Sequence, residues 1–346
     1  MNKKREYGID IMRAFAMFLV IMGHVVGNGG ILGTADTGSA EHYAALFFCV
    51  FSVCSINIFG LISGYVGYGR KFKPVSLLNL WLRIVFWTVI ISSIFVLTGK
   101  KSIDFEIIKI TLLPIISKSY WYMTGYFVVA ILSPLINILI DKVDARLIWA
   151  VVIIVTIGLT VVINTSGNNA VWLLILYIYG ALIKKGELLK EKPVWFGITG
   201  YALCIIITFI AAAFHMDGGL SLNRYLWGFF CGKAYGLWPA SVTMLIAAIS
   251  ILLIGINIKT NQKVDKYIGF VTPLILSVYL IHVHPLLYKE MGDFMVWIIK
   301  YGWGVEIAGI LLVTVSIYII CLFLDYWREK LFEAVMRNGI SQKKRK

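Results

Sequence analysis

Charge is scarce in this sequence: only 14% of its 346 residues are Asp, Glu, Lys or Arg, while 60% belong to the apolar and aromatic set. A water-soluble fold has roughly a quarter of its residues charged. A soluble enzyme, or a string of soluble domains, is therefore excluded, and the lipid bilayer is the main solvent. Acids are scarcer than bases, 18 against 32, for a formal charge of +14. In a soluble chain such an excess would raise nucleic-acid binding. Here basic residues at the ends of apolar runs set membrane orientation, and no nucleic-acid partner is expected. Cysteine is limited to Cys49, Cys54, Cys204, Cys231 and Cys321, an odd number with no C-x-x-C pair. That pattern argues against a disulfide frame and against a metal site. HExxH, P-loop and paired-carboxylate motifs are missing as well.

What the sequence does have is long apolar runs, at about 7–27, 43–68, 76–98, 120–140, 147–164, 170–183, 195–214, 236–256, 268–288 and 304–326. Each approaches the ~20 residues that a helix needs to cross the hydrocarbon core. The expected fold is an all-α polytopic membrane protein with about ten transmembrane helices. It divides into a single membrane domain over 1–330 and a basic cytoplasmic tail over 331–346. Residues 220–235, rich in aromatics and glycine, are expected to be interfacial or re-entrant, and 103–117 to lie along a membrane surface. The first run follows Lys3, Lys4 and Arg5 but contains Asp10 and Arg13 and ends in no small-residue cleavage site, so a retained helix is expected rather than a signal peptide.

The basic residues test this map. With the amino terminus inside, the loops and tails on the inner side hold 22 Lys and Arg and those on the outer side seven. The asymmetry predicts that both termini are cytoplasmic.

Charge inside a membrane helix is costly, roughly 2.5–3.5 kcal/mol at the helix centre, so each intramembrane ionisable residue is a functional candidate. The first helix carries Asp10, Arg13 and His24. Asp10 and Arg13 are three apart and can pair on one face. Arg13 and His24 are eleven apart, an angular offset of about 20° and an axial rise of about 16 Å. Both therefore belong to one stripe, the arginine near one membrane surface and the histidine deeper. A snorkelling ion pair and a structural histidine would account for any one of these residues, but less well for the aligned set. The second run ends in Ile62-Ser63-Gly64-Tyr65 and leads to Arg70, Lys71 and Lys73, with Arg83 inside the next helix. Cations on this face suit a phosphorylated ligand, although the loop alone reads as an ordinary positive-inside segment. His282 and His284 are two apart and so do not share a helix face, which argues against a metal pair. His42 and His215 fall at loop or helix-end positions and look incidental.

Three of these places together resemble the acyltransferase-3 family of integral membrane acyltransferases. They are Gly8-Ile9-Asp10-Ile11-Met12-Arg13-Ala14 continuing to His24, Phe59-Gly60-Leu61-Ile62-Ser63-Gly64-Tyr65 with basic residues beyond, and Ser277-Val278-Tyr279-Leu280-Ile281-His282 with Pro285 after it. Where the family often has two arginines three apart, this chain has Arg70 and Lys73. The fourth-helix motif around Tyr120-Trp121-Tyr122 lacks the acid found in many members.

The resemblance implies O-acyl transfer, most readily acetyl transfer, from acyl-CoA on the cytoplasmic side to a sugar hydroxyl of a bacterial surface polysaccharide or lipid-linked glycan. It implies residence in the bacterial plasma membrane and no permanently bound cofactor. The donor's phosphates would meet Arg70, Lys73, Arg13 and Arg83, and its pantetheine arm would rise toward His24. That histidine would act as general base or accept the acyl group itself, with Asp10 balancing Arg13. His282, Trp121 and Tyr279 are the candidates for acceptor binding. Membrane lipid is a partner throughout, and a homodimer is compatible with everything above. The rival expectation is a transporter or flippase of lipid-linked sugars, which also needs many helices and intramembrane charge.

Overall fold

The computed structural model describes residues 5–216, 224–231 and 237–343. Among these residues the chain is all-helical and without strands, the arrangement lipid enforces by requiring every backbone polar group to be satisfied within its own segment. The principal helices are α1 (Tyr7–Gly27), α2 (Ala40–Gly67, in two pieces that meet at Cys54), α3 (Pro74–Leu97), α4 (Trp121–Lys142), α5 (Ala145–Val162), α6 (Ala170–Gly186), α7 (Val194–Met216), α8 (Val242–Asn257), α9 (Gln262–His282) and α10 (Trp303–Lys343). Among the described residues, eight helices are long and apolar enough to cross a membrane. The expected segments at 170–183 and 236–256 become the shorter α6 and α8, of 17 and 16 residues.

Cross-links between helix ends sort the bundle into two faces. At one, Glu6 pairs with Lys184 at 2.6 Å, the Tyr68 hydroxyl donates to Asp141, Lys185 donates to the Ile140 carbonyl, and Asn257 donates to the Leu189 carbonyl. This basic end gathers the start of α1 with the C-terminal ends of α2, α4, α6 and α8, as an up-and-down alternation requires. At the opposite end Asn28 donates to the Tyr288 carbonyl, and Lys100 pairs with Glu290.

Burial separates interior from rim. The helices α1 and α2 are mostly enclosed, while α4, α5 and α10 present rows of Leu, Ile and Val outward, as a lipid-facing rim does. The α2–α6 contact is the tightest. A Cβ added at Gly64 would overlap the Tyr177 carbonyl, and one added at Gly180 would overlap the Leu61 carbonyl. Lipid tails are as apolar as leucine, so helix association in a bilayer relies on such close backbone approach at small residues. The serine–glycine motif of the second run therefore places glycine at a helix crossing.

Three boundaries differ from the apolar runs. The run at 268–288 does not stay helical: α9 relaxes to a 3-10 turn over Thr272–Leu274 and ends at His282. His284 is extended, with ψ 128°, because the residue before a proline is pushed out of the helical region, and Pro285 then begins a separate short helix, Pro285–Glu290. The last helix overshoots its run and carries the expected tail as helix to Lys343. Residues 103–117 contain the short helix Phe105–Leu112, N-capped by Asp104, with Ile103, Phe105, Ile108 and Leu112 exposed. Of the segment 220–235, only 224–231 are described, with a helix over Arg224–Phe230. The re-entrant expectation for the remainder, like Lys3, Lys4 and Lys233, lies outside the described residues.

Candidate active site

The spacing on α1 produces a lined wall. Arg13, Met17, Val20 and His24, at steps of four, three and four, all face one cavity of about 900 Å³. From the basic end the cavity begins among Arg13, Ser63, Leu80 and Thr272. It then passes Phe59, Tyr126 and Leu276 and reaches Ser119, Trp121, Asn168, Trp238 and Tyr288 at the opposite end. Its two ends are thus both polar, and its middle is apolar and aromatic.

Asp10 is buried and uses both carboxylate oxygens, accepting from Arg5 Nε and from Arg13 Nη1 at 2.6 Å each. The paired contacts hold the Arg13 guanidinium at the cavity's basic end. Asp10 itself is fourteen residues, about 21 Å along the axis, from His24 and does not touch it.

His24 is half-buried and opens on the cavity. Its Nδ1 lies 3.2 Å from Nε2 of His282, and the Tyr288 ring meets it edge-on at 5.1 Å between centroids. His282 is buried behind it, with its own Nδ1 on the Val278 carbonyl at 2.5 Å. The two histidines are 258 positions apart in the chain, and the end of α9 brings them together. Tyr279 lines the cavity from the same helix, packed edge-on against Tyr122. Trp121, in the first turn of α4, lines it from the other side.

The remaining sequence candidates fall elsewhere. Arg70 and Lys73 are exposed on the segment between α2 and α3, at the basic end but not on the cavity wall. Arg83 is held by the bundle: its Nη1 donates to the Pro273 carbonyl at 2.7 Å, beside the 3-10 turn of α9, and Nη2 lies 3.8 Å from Glu329. His42 is buried in the first turn of α2, and His215 packs against Trp227 with the rings tilted by 37° and centroids 4.2 Å apart; neither is on the wall. His284 caps the helix Pro285–Glu290, its Nδ1 accepting from the Leu286 N–H. Burial holds that imidazole down, to about 4.

Several lining and supporting residues escape a search confined to charges. Asn57 is wholly buried in α2, donating to the Pro239 carbonyl at 2.7 Å and accepting from Trp172 Nε1 at 2.8 Å. It thereby fixes the chain beside Trp238. A neutral amide in an apolar run is itself a signal, since in lipid it must find partners. Tyr288, Asn168 and Trp238 carry no comparable mark, because loops and a separate short helix bring them to the cavity.

Chemically, the cavity joins a guanidinium at one end to an imidazole deep inside, with a largely apolar and aromatic wall between them. No curated protein and no solved structure matches this chain. The family model described as an acyltransferase domain matches residues 6–326, nearly the whole chain and all the elements that build the cavity. The chain belongs to the acyltransferase-3 family and is a membrane acyltransferase.

Proposed function

We propose that this acyltransferase moves an acyl group, acetyl in the simplest case, from cytoplasmic acyl-CoA to a hydroxyl of an envelope or exopolysaccharide sugar, in the plasma membrane of a bacterium. The observation that carries this reading is the single cavity that Arg13 and His24 both line, about 16 Å apart along α1. The basic end is the cytoplasmic one, as the distribution of Lys and Arg favours. There Arg13 receives a phosphate of the donor, with Arg70 and Lys73 nearby as exposed cations. Arg83 contributes less, having the Pro273 carbonyl and Glu329 as partners already.

The pantetheine arm then lies along Met17 and Val20, and its thioester reaches His24. From the opposite end the sugar enters between Trp121 and Trp238, whose ring faces suit the apolar face of a pyranose, with Asn168 and Ser119 for its hydroxyls. His24 activates the acceptor hydroxyl as general base or takes the acyl group first as a nucleophile. Tyr279 shapes the wall beside it, and His282 backs it from behind.

The test uses the full chain purified into lipid vesicles with labelled acetyl-CoA. Label is expected on the envelope glycan with wild type and not with His24→Ala, which should insert and fold normally. Retained glycan acylation by that variant would refute the role of His24. Movement of a lipid-linked sugar across the vesicle without consumption of acetyl-CoA would favour the transporter instead. Mass spectrometry of envelope glycans from cells with and without the protein identifies the acyl group and the sugar.

A further inference from the structure

The pair His24–His282 and the carbonyl behind it determine where the protons sit. A carbonyl oxygen can only accept, so the 2.5 Å contact between Val278 O and His282 Nδ1 requires a proton on that Nδ1. In the neutral ring the other nitrogen, Nε2, is then a bare acceptor. It faces His24 Nδ1 at 3.2 Å, and two acceptors cannot share that contact, so His24 Nδ1 carries the proton. Nε2 of His24 is left with a free lone pair on the ring that lines the cavity. We infer that His282 is a positioning residue that locks His24 in the Nδ1–H tautomer, through a chain that runs from the Val278 carbonyl to His282 to His24 and leaves His24 Nε2 as the reactive atom.

The inference rests on the acyl-transfer reading of His24 for its consequence, though not for its geometry. Both ring positions are secured by helix structure. The α9 helix holds the Val278 carbonyl one turn before His282, and Tyr288 closes the side of His24 edge-on. His282 is buried and does not line the cavity, so it has no direct route to substrate.

In the transfer step Nε2 of His24 takes the proton of the acceptor hydroxyl. The hydroxyl oxygen forms the new C–O bond with the thioester carbonyl carbon, the C–S bond breaks, and the thiolate of coenzyme A leaves with the proton that Nε2 held. While His24 is cationic its Nδ1–H bond to His282 Nε2 becomes charge-assisted and stronger. The carbonyl polarises His282 from behind in the same direction. If His24 is instead acylated, the same Nε2 lone pair makes the bond to carbon, so the tautomer requirement is common to both routes.

The decisive variants are His282→Gln, whose side-chain oxygen can accept from His24 Nδ1–H, and His282→Leu, which cannot. Nitrogen-15 NMR of histidine-labelled full-length protein in lipid bilayers, with His24 assigned by its loss in His24→Asn, distinguishes protonated from bare ring nitrogens without any substrate. The expected result is a protonated Nδ1 and a bare Nε2 at His24 in wild type and in His282→Gln, and a mixture of tautomers in His282→Leu. Kinetically, His282→Leu should lower kcat about 100-fold, with KM for acetyl-CoA within about twofold, and His282→Gln should recover about tenfold of that loss. A protonated Nε2 at His24 in wild type, or equal kcat in the Leu and Gln variants, would overturn the inference. Transfer retained by His24→Ala would overturn the catalytic role of His24 and leave the tautomer result standing, so the two failures are separable.

Discussion

Replacing Asn57 by leucine keeps the side-chain volume roughly constant and removes two buried hydrogen bonds at once. Trp172 Nε1 loses its acceptor at 2.8 Å and the Pro239 carbonyl its donor at 2.7 Å, both at a site with no solvent access. Each orphaned group carries a penalty of about 1–3 kcal/mol, so Asn57→Leu should cost about 2–6 kcal/mol. Trp172→Phe alone orphans only the Asn57 oxygen. In the double variant the tryptophan N–H and the amide are both gone and only the Pro239 carbonyl stays unpaired. Apart from the packing lost with the smaller ring, which Trp172→Phe and the double variant share, the double variant should therefore be no less stable than Asn57→Leu. The two single effects should fail to add by about 2–6 kcal/mol, the cost of two orphaned groups. Thermal unfolding in a fixed detergent, followed by tryptophan fluorescence and by solubility after heating, reads all four proteins. A second readout addresses function. Pro239 adjoins Trp238 on the cavity wall at the end opposite Arg13, so loosening it should raise KM for the acceptor more than KM for acyl-CoA. Additive single effects, or wild-type stability in Asn57→Leu, would refute the reasoning, since neither is compatible with a buried amide that satisfies two groups.

Three further outcomes follow from other parts of the structure. Gly64→Ala should destabilise the α2–α6 crossing by about 1–3 kcal/mol or more, because the added methyl overlaps the Tyr177 backbone, and Gly27→Ala, which meets nothing, should be near neutral by the same unfolding assay. Asp10→Asn should leave kcat within about twofold and raise KM for acyl-CoA about tenfold, since it weakens a charge-assisted contact that holds Arg13 and touches nothing at His24. Below its ordinary range His284 stays neutral until about pH 4 in the folded protein, whereas the unfolded chain binds that proton near 6.5. Stability from this site is therefore complete above about pH 6.5 and falls as pH drops toward 4, by up to about 1.4 kcal/mol per unit. His284→Asn, which can still cap the helix, should flatten that slope in unfolding measured across pH.

Bilayer thickness explains why so much of the fold was legible. A span must be near 20 residues and apolar, so hydropathy located ten segments, and the chain folds as those helices. It did not locate helix ends. Hydropathy is blind to the backbone restriction that Pro285 places on His284, and to the continuation of α10 through charged residues to Lys343. At the site, Arg13 and His24 stood out because their spacing within one helix determines a shared face. His282 was a candidate as well, but its contact with His24 was not legible, because that contact joins residues 258 apart and depends on where α9 stops. Asn57 belongs to the same class, since its partners lie 115 and 182 residues away. Arg83 shows the converse: an intramembrane charge marks a residue that needs a partner, and here the bundle itself supplies one in the Pro273 carbonyl.

The lining of the cavity also bears on how an enzyme and a transporter with similar helices would differ. Proton-coupled transporters carry relays of Asp, Glu and His across the membrane, because protons must travel its full width. Among the described residues the cavity wall holds one guanidinium, one imidazole and several tyrosines, and no carboxylate. Between Arg13 and His24 the α1 stripe offers only Met17 and Val20, which can pass no proton. Acyl transfer needs no such relay. In the proposed mechanism the proton released by the acceptor hydroxyl is consumed by the departing thiolate, both at His24 Nε2. A cavity that is apolar between its two ends therefore suits the proposed reaction, whose donor supplies its own reach, with Arg13 for a phosphate at one end and His24 for the thioester at the other. Inserting a carboxylate midway, as in Val20→Asp, would add a buried charge without a partner, and acyl transfer should fall rather than gain pH-dependent rate. A rate that rises with such a relay in place would mean that proton supply, and not delivery of the thioester, limits this site.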